Sequence, residues 1–310
     1  MKVAALGALS ICLLSALACN RASHSEPTTS LLRELVVSNP SGLTMRVAEE
    51  DSDPTLWLSV PGEAAGQNAV LVLTPEHVTV RRHGANEAEH LYLWRPGDHG
   101  ARPHWLRTEN ALQYEIDLPS GIHFLARASL QQDGFVLHYE FVNNSDVDFD
   151  SIQAITDPRM VSPLFHDVRL ERTYVHEQGR FVLLASDMPQ RVNMPMNQWL
   201  PNRYRISYSW PVEQARVQKQ PDGITFFNAQ TRADEPFLAT VSADAKWIMA
   251  TFSRNPGNLW TNPDLTCQHA DPDIPLSHHS KGVAEEKILL FRGTLEDVLN
   301  KVKAQRGDLK

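Results

Sequence analysis

Apolar and polar side chains alternate without a break along Leu112-Gln113-Tyr114-Glu115-Ile116-Asp117-Leu118. A period of two indicates a strand with one buried face and one polar face. Pro119-Ser120-Gly121 then supplies turn residues, the alternation resumes over residues 122–130, and Asp133-Gly134 precedes a third alternating run at residues 135–141. Residues 111–142 therefore predict three antiparallel strands joined by tight turns.

Similar patterns extend along most of the chain. Further strand candidates are short apolar or alternating runs, at residues 69–73, 77–81, 181–185, 204–210, 224–227, 237–242, 247–252 and 287–291. One helix is predicted near the end, where Thr294 and Asp297 form a capping box before a single apolar stripe at Leu295, Val298, Leu299 and Val302. The fold class is therefore all-β, a large antiparallel two-sheet sandwich with a short C-terminal helix. Residues 188–201 and 255–280, rich in proline and polar groups, are predicted to be long loops.

The first residues carry an export pattern. Lys2 precedes an apolar run at residues 3–17 that is short for a bilayer span, and Ala16-Leu17-Ala18-Cys19 ends it. This order predicts a signal peptide at residues 1–18 and a mature protein in the periplasm or envelope. Cleavage before Cys19 would expose a thiol that resembles the acylated cysteine of a bacterial lipoprotein, whereas ordinary cleavage at the same site would release a soluble protein. Residues 19–30 are predicted to be a polar tether, and residues 31–310 a single β-sandwich domain.

Composition narrows the range of partners. The net charge is -8, with acids and bases interspersed, so nothing concentrates positive charge against nucleic acid or an anionic membrane. Membrane contact is expected only through a lipid at Cys19. If Cys19 is lipidated, Cys267 has no partner; with ordinary cleavage, a bridge between the two stays open. The chain has no nucleophile elbow, no phosphate-binding glycine loop and no Cys-x-x-Cys pair, and we predict no cofactor.

Two segments resemble galactose mutarotase-like proteins. The first is Val142-Asn143-Asn144-Ser145-Asp146, at the end of the strand over residues 135–141. The second comprises Pro256-Gly257-Asn258-Leu259-Trp260-Thr261, then Gln268-His269-Ala270-Asp271-Pro272, and a closing strand at residues 286–291. The resemblance implies a two-sheet supersandwich whose concave face binds sugars.

The resemblance also implies where catalysis would lie. The epimerases of this superfamily open a sugar ring with a histidine acid and a glutamate base, but residues 265–272 of this chain contain no glutamate. Asp271 is then the candidate base, with Asp264 as the alternative, because a carboxylate is needed to take the proton. His166 or Tyr174 is the candidate proton donor. The sequence leaves open whether the chain is an enzyme.

The predicted ligand is a carbohydrate. Tryptophans in loop-like segments beside polar side chains favour this, since flat rings stack on the apolar faces of sugars. The predicted binding residues are Trp94, Trp105, Arg169, Trp199, Arg203, Trp260 and His269. A tryptophan near a strand end is also common in a core, and the titratable run at residues 166–177 equally suits a charged outer strand face.

A histidine-rich loop is a candidate for metal binding. Residues 269–279 contain five potential metal ligands, namely His269, Asp271, Asp273, His278 and His279. Their spacing matches no closed metal site, so we assign no metal.

The alternative function is a non-catalytic envelope lipoprotein that acts as a structural or adhesion scaffold. Clustering of the tryptophans and His166 in one cleft would favour sugar binding, and scattered burial would favour the scaffold.

Overall fold

The computed structural model of the protein describes residues 35–48, 54–62, 70–93, 103–187, 204–208, 217–219, 225–262 and 265–310. No helix in these ranges has the length and hydropathy needed to cross a membrane.

Two large sheets form a sandwich within the described residues, and all strand pairs in both are antiparallel. The larger has nine strands, in the spatial order β12 (Arg180–Leu183), β11 (Thr173–Glu177), β16 (Phe237–Val241), β17 (Ile248–Ser253), β20 (Lys281–Phe291), β9 (Gly134–Asn143), β8 (Ile122–Gln131), β7 (Ala111–Leu118) and β6 (Leu106–Thr108). The seven-stranded sheet runs β1 (Val36–Ser38), β2 (Thr44–Val47), β3 (Thr55–Ser59), β4 (Val70–Arg82), β10 (Phe149–Arg159) and β19 (Asp273–Leu276), with β5 (Glu89–Leu91) also paired to β4.

Smaller elements accompany the sandwich. A four-stranded sheet runs β14 (Val217–Lys219), β15 (Thr225–Asn228), β13 (Tyr204–Tyr208) and β18 (Leu259–Thr261), and only its β13–β15 pair is parallel. The helices are α1 (Leu184–Asp187), α2 (Leu295–Gln305) and a 3-10 turn (Arg306–Asp308). The predicted fold class, an antiparallel two-sheet sandwich with a short C-terminal helix, is confirmed.

The main core fills the space between the two large sheets. Alternate residues of β4, such as Val78 and Val80, face aromatic side chains of the larger sheet, such as Phe124 and Phe141, and all of them are buried in one cluster. Complete burial of a side chain of this kind contributes about 1.5–3 kcal/mol. The sequences of β7, β8 and β9 alternate because every second residue of each strand faces this core.

Helix α2 covers the outer face of the larger sheet. Thr294 and Asp297 form the predicted capping box, and Val298, Leu299 and Val302 are buried against outward-facing residues of β16, β17 and β20. The nine-stranded sheet thus packs on both faces in this region, which explains why all six residues of β17 are buried.

A cluster of hydrogen-bonded polar side chains links α2 to the sheet. Asp133, in the turn before β9, accepts hydrogen bonds from Lys287 at 2.9 Å, Lys301 at 2.8 Å and Gln305 at 3.0 Å. Lys287 is 4% exposed and also donates to Gln131. Burial alone would raise the pKa of Asp133, but the bonds from Lys301 and Lys287 more than offset it and hold the pKa well below the ordinary 3.8.

Asn143 builds the turn that carries the first resembling segment. Its side-chain oxygen accepts from the Ser145 amide at 3.0 Å and from the Ser145 hydroxyl at 2.7 Å. Its amide nitrogen donates to the carbonyls of Val147 and Ser277. The asparagine is 1% exposed, so this segment is a structural link between β9, β10 and the loop before β20.

Three local predictions differ from the structure. Residues 69–73 and 77–81 belong to one strand, β4, which continues through Pro75 because a register shift opposite residues 155–157 accommodates it. The segment 167–172 forms turns, since buried Asp167 accepts bonds from the amides of Glu171 and Arg172. The predicted loop at residues 255–280 contains β18 and β19. The predicted loop at residues 188–201 lies outside the described residues.

Candidate functional site

An extended segment places three chemically active side chains on one side. Residues 267–271 read Cys-Gln-His-Ala-Asp, and side chains two residues apart in an extended chain point the same way. The backbones of His269 and Trp260 exchange two hydrogen bonds, of 3.1 and 2.9 Å, which fix this segment beside β18. Cys267, His269 and Asp271 are therefore held together by backbone pairing.

His269 occupies the centre of the site and is 1% exposed. Its ring stacks on Trp260, with ring centroids 3.4 Å apart and planes 6° from parallel. Nδ1 lies 3.3 Å from Asp271 Oδ2. Nε2 lies 3.1 Å from the Cys267 sulfur and 3.6 Å from Asp157 Oδ1. The imidazole thus stands between two carboxylates and a thiol.

Asp157 connects this centre to the surface. It lies near the end of β10, and its Oδ2 accepts a 2.5 Å hydrogen bond from Arg159 Nε. Arg159 Nη2 reaches Glu76 Oε1 at 3.4 Å. Burial alone would lower the pKa of Arg159, but Asp157 and then Glu76 more than offset it, so the pKa is raised. Arg159 therefore remains a fixed positive charge between two carboxylates.

Contacts continue from Glu76 to an exposed aromatic residue. His77 Nδ1 lies 3.8 Å from Glu76 Oε2, and the His77 ring is 5.4 Å from the ring of Tyr92, which is 39% exposed. The whole chain of contacts is named here the polar strip, and it consists of Tyr92, His77, Glu76, Arg159, Asp157, His269 and Trp260. It has an aromatic ring at each end, with carboxylates, imidazoles and one guanidinium between them.

A second, fully buried group of polar side chains lies behind Asp271. Asp271 Oδ1 accepts from the Thr156 amide at 2.8 Å, and the Thr156 hydroxyl shares a 2.7 Å hydrogen bond with Tyr139. Glu286 of β20 is completely buried, and burial, with the charge of Asp271 adding to it, raises its pKa well above the ordinary 4.5. Burial and then Glu286 likewise raise the pKa of Tyr139. Glu286 is therefore protonated where an exposed glutamate would be charged.

The structure brings together three of the residues that the sequence singled out. Asp271, a predicted catalytic residue, and Trp260 and His269, predicted binding residues, all lie in or beside the polar strip. Their side chains contact each other directly through His269.

Other predicted residues lie elsewhere. His166 is exposed, and its carbonyl oxygen accepts a short hydrogen bond from Arg172. Arg169 forms an exposed ion pair with Glu171 at 2.9 Å. Trp105 packs edge-on against the core ring of Tyr114 at 4.9 Å. Within the described residues no hydrogen bond, ion pair or ring contact joins His166, Arg169 or Trp105 to the polar strip. The predicted clustering of the tryptophans with His166 in one cleft is therefore not found among these residues.

Among the described residues, no hydrogen bond, ion pair or ring contact joins Tyr174 to the polar strip either. It lies on β11, where its backbone pairs with Leu183 and Ala239. The remaining predicted residues, Trp94, Trp199, Arg203 and the lipidation residue Cys19, lie outside the described residues.

The histidine-rich segment does not form one site. His278 pairs with Asp148 at 2.7 Å and His279 with Asp146 at 2.8 Å, all four of them exposed to solvent. Asp273 accepts a hydrogen bond from Ser151. Only His269 and Asp271 of this segment reach the polar strip.

Sequence reasoning missed Glu76, Asp157, Arg159 and Glu286. Asp157 and Arg159 lie at the end of β10, a strand that is largely buried on both faces, so no simple alternation in residues 149–159 marks them as a site. A signal did exist for Cys267, because Cys-x-His-x-Asp repeats every second residue, as an extended chain with one reactive side would.

Comparison with solved structures finds weak similarity to proteins described as a galactose mutarotase related enzyme and as an aldose epimerase homologue. A galactose mutarotase related enzyme from Lactobacillus acidophilus is 11% identical over 84% of this chain and 98% of that chain, with a TM-score of 0.44. An aldose epimerase homologue from C. elegans is 7% identical over 84% of this chain and 99% of that chain, with a TM-score of 0.43. No family model and no curated protein sequence matches the chain. The function proposed next rests on the residues of this chain alone.

Proposed function

We propose that this chain binds a carbohydrate along the polar strip. The observation that carries the proposal is the unbroken line of contacts from exposed Tyr92 to the stacked pair of Trp260 and His269. Carbohydrate sites combine flat aromatic rings, which cover the apolar faces of sugar rings, with a few planar polar groups that bind hydroxyls. The strip contains both kinds of group in one run.

The charges of the strip suit hydroxyl groups. Arg159 and Glu76 are partly exposed, with side-chain exposures of 25% and 34%, and each can offer several donors or acceptors. Asp157 holds the guanidinium in a fixed orientation from below. A fixed fork of donors needs no reordering when a ligand binds, and this lowers the entropic cost of association. If the chain is an enzyme, Asp271, which lies beside His269 in the strip, is the group that we propose to move a proton.

A pair of arginine variants tests the proposal. Arg159→Ala is expected to weaken sugar binding about 10- to 100-fold, because one charged hydrogen-bonding group contributes roughly 1.5–3 kcal/mol. The matched control is Arg169→Ala, which removes an arginine from an exposed ion pair away from the strip and should leave affinity unchanged. The measurement is a glycan array followed by tryptophan fluorescence titration of each hit.

Folding must be checked, since Arg159→Ala leaves Asp157 buried without its cation. Glu76→Gln keeps that pair intact and provides a second variant, for which a smaller loss of affinity is expected. Equal affinities for the Arg159, Glu76 and Arg169 variants would contradict a site at the strip. No binding of neutral or acidic glycans by the wild-type chain would favour the scaffold function instead.

We further propose that the chain is exported and anchored by a lipid at Cys19. The support is the order of Lys2, the apolar residues 3–17 and the small residues before Cys19. Cys19→Ser is expected to abolish labelling by radioactive palmitate and to move the protein from the membrane pellet to the soluble fraction. Cys12→Ser, within the apolar run, is the control and should keep both the label and the membrane fraction. Labelling that persists in Cys19→Ser would contradict the anchor.

A further inference from the structure

Three potential metal ligands of different chemistry converge at the inner end of the polar strip. His269 Nε2 is 3.1 Å from the Cys267 sulfur and 3.6 Å from Asp157 Oδ1, and all three donor atoms lie within 4.8 Å of one another. All three side chains are buried, at 1%, 1% and 3% exposure for Cys267, His269 and Asp157. Thiolate, imidazole and carboxylate are the donor types that bind zinc in proteins.

The spacing of the donors fits one tetrahedral ion. With Zn–S near 2.3 Å and Zn–N or Zn–O about 2.0–2.2 Å, tetrahedral angles place neighbouring donors roughly 3.3–3.6 Å apart. The observed separations from His269 Nε2, 3.1 Å to sulfur and 3.6 Å to oxygen, lie close to this range. Small side-chain adjustments are therefore enough to coordinate an ion.

The environment of Asp157 provides independent support for a bound cation. Its Oδ2 is bonded to Arg159, but its Oδ1 has no hydrogen-bond partner among the described residues, and the side chain is 4% exposed. A buried carboxylate oxygen that accepts no hydrogen bond is strongly unfavourable. A cation between Oδ1 and His269 Nε2 would satisfy that oxygen.

The charge balance also favours a cation. Three carboxylates, Asp157, Asp271 and Glu76, lie around one arginine, Arg159, so negative charges outnumber positive ones by two before any ionisation of Cys267. Uncompensated charge in a buried cluster is strongly unfavourable. A divalent cation would neutralise this excess.

The surrounding hydrogen bonds are of the kind that orient metal ligands. The Asn262 amide donates to the Cys267 sulfur at 3.3 Å, which supports a thiolate. Asp271 Oδ2 lies 3.3 Å from His269 Nδ1, the carboxylate–imidazole arrangement that leaves Nε2 available for a metal. Each of the three ligands thus has its own supporting group, since Arg159 holds Asp157.

We propose that Asp157 Oδ1, Cys267 Sγ and His269 Nε2 bind one zinc ion. Three protein ligands leave a fourth position for water or another ligand. The inference goes beyond carbohydrate binding and does not depend on it. Nothing in the spacing of residues 267–271 alone indicates it, because the third ligand comes from β10.

Cobalt(II) is the probe, because it takes the same ligands as zinc and a cobalt–thiolate bond gives a near-ultraviolet charge-transfer band. The full-length chain, freed of metal by a chelator that is then removed, is expected to bind about one equivalent of cobalt with this band and to lose the band when zinc is added. Cys267→Ser should abolish the band. His269→Gln should weaken cobalt binding by a factor of roughly 100 or more.

Matched variants separate this site from other ligands in the chain. Cys19→Ser should keep the band, and so should the double variant His278→Gln with His279→Gln, which removes two exposed imidazoles. Asp271→Asn should weaken binding about 10- to 100-fold without abolishing it, because Asp271 supports a ligand and is not one. Circular dichroism confirms that each variant is folded, and Asp157→Asn replaces Cys267→Ser if the latter does not fold.

Two results would overturn the zinc site. One is the absence of a thiolate band in folded wild-type protein. The other is a band of unchanged intensity in Cys267→Ser. The cobalt titration contains no sugar and the sugar titration contains no added metal, so failure of one proposal is distinguishable from failure of the other.

Discussion

The Asp133→Ala variant is expected to have a free energy of unfolding about 3 kcal/mol lower than wild type, because removing one partner of a buried ion pair leaves the other charge uncompensated. Lys287 is 4% exposed, and Asp133 is the anion that pairs with it. The same change also removes the bonds that Lys301 and the Gln305 side-chain nitrogen of α2 donate to Asp133. Helix α2 would then keep its apolar contacts and the bond from Lys287 to the Gln305 side-chain oxygen.

The matched control is Asp117→Ala. Asp117 is 87% exposed and pairs with His123 at 2.8 Å, so its loss should change the free energy of unfolding by less than about 1 kcal/mol. Urea unfolding followed by circular dichroism at pH 7 measures both variants. Similar changes for the two would show that the cluster under α2 does not stabilise the fold.

The pH dependence gives the Asp133 prediction a second check. Its pKa is lowered in the folded state, so its stabilising contribution is complete above the unfolded value near 3.8. The contribution is lost as the pH falls through the lower, folded-state pKa. The difference between wild type and Asp133→Ala should therefore be constant from pH 7 to pH 5 and should shrink in strong acid.

The Glu286→Gln variant is expected to remove a loss of stability at rising pH. Burial and the neighbouring Asp271 raise the pKa of Glu286, so the folded state holds a proton that the unfolded state releases above its ordinary pKa of 4.5. Between 4.5 and the raised folded-state pKa, this group alone lowers the free energy of unfolding by about 1.4 kcal/mol per pH unit. Glutamine is the neutral isostere and carries no such proton.

The measurement is the free energy of unfolding of wild type and Glu286→Gln at several pH values from 4.5 upward. The two curves should lie close together near pH 4.5 and diverge as the pH rises, with the glutamine variant more stable. Glu140→Gln on the adjacent strand β9 is the control, because its carboxylate pairs with Lys281 and is partly exposed. Parallel curves for wild type and Glu286→Gln would mean that Glu286 does not titrate with a raised pKa.

The sequence predicted those parts of the fold in which one face of an element is buried. β7, β8 and β9 alternate because their inner residues fill the core, and α2 shows its capping box and stripe because one side of it meets the sheet. The prediction of two separate strands around Pro75 was wrong, because β4 continues through this proline beside a register shift. β10 was missed because burial on both faces removes the alternation.

The site was predictable where its chemistry lies within one segment. Trp260, His269 and Asp271 were chosen for residue type in a short stretch, and backbone pairing brings them together. Asp157 and Arg159 come from a different sheet, and only the topology places them there. His166 and Tyr174 were chosen because titratable groups are dense around them, but nearby Asp167 and Arg172 hydrogen-bond to backbone and serve the turns.

The position of β20 in the nine-stranded sheet has a consequence for the order of folding. This strand, residues 281–291, lies between β9 and β17 and is the only link in the sheet between strands from residues 106–143 and strands from residues 173–253. Closing such distant pairs is entropically costly and slow. Pairing of the two halves of the sheet therefore has to wait until β20 is available. A polypeptide that emerges from a ribosome or a translocation channel starting at its N-terminus would complete this sheet only after residue 291 has emerged.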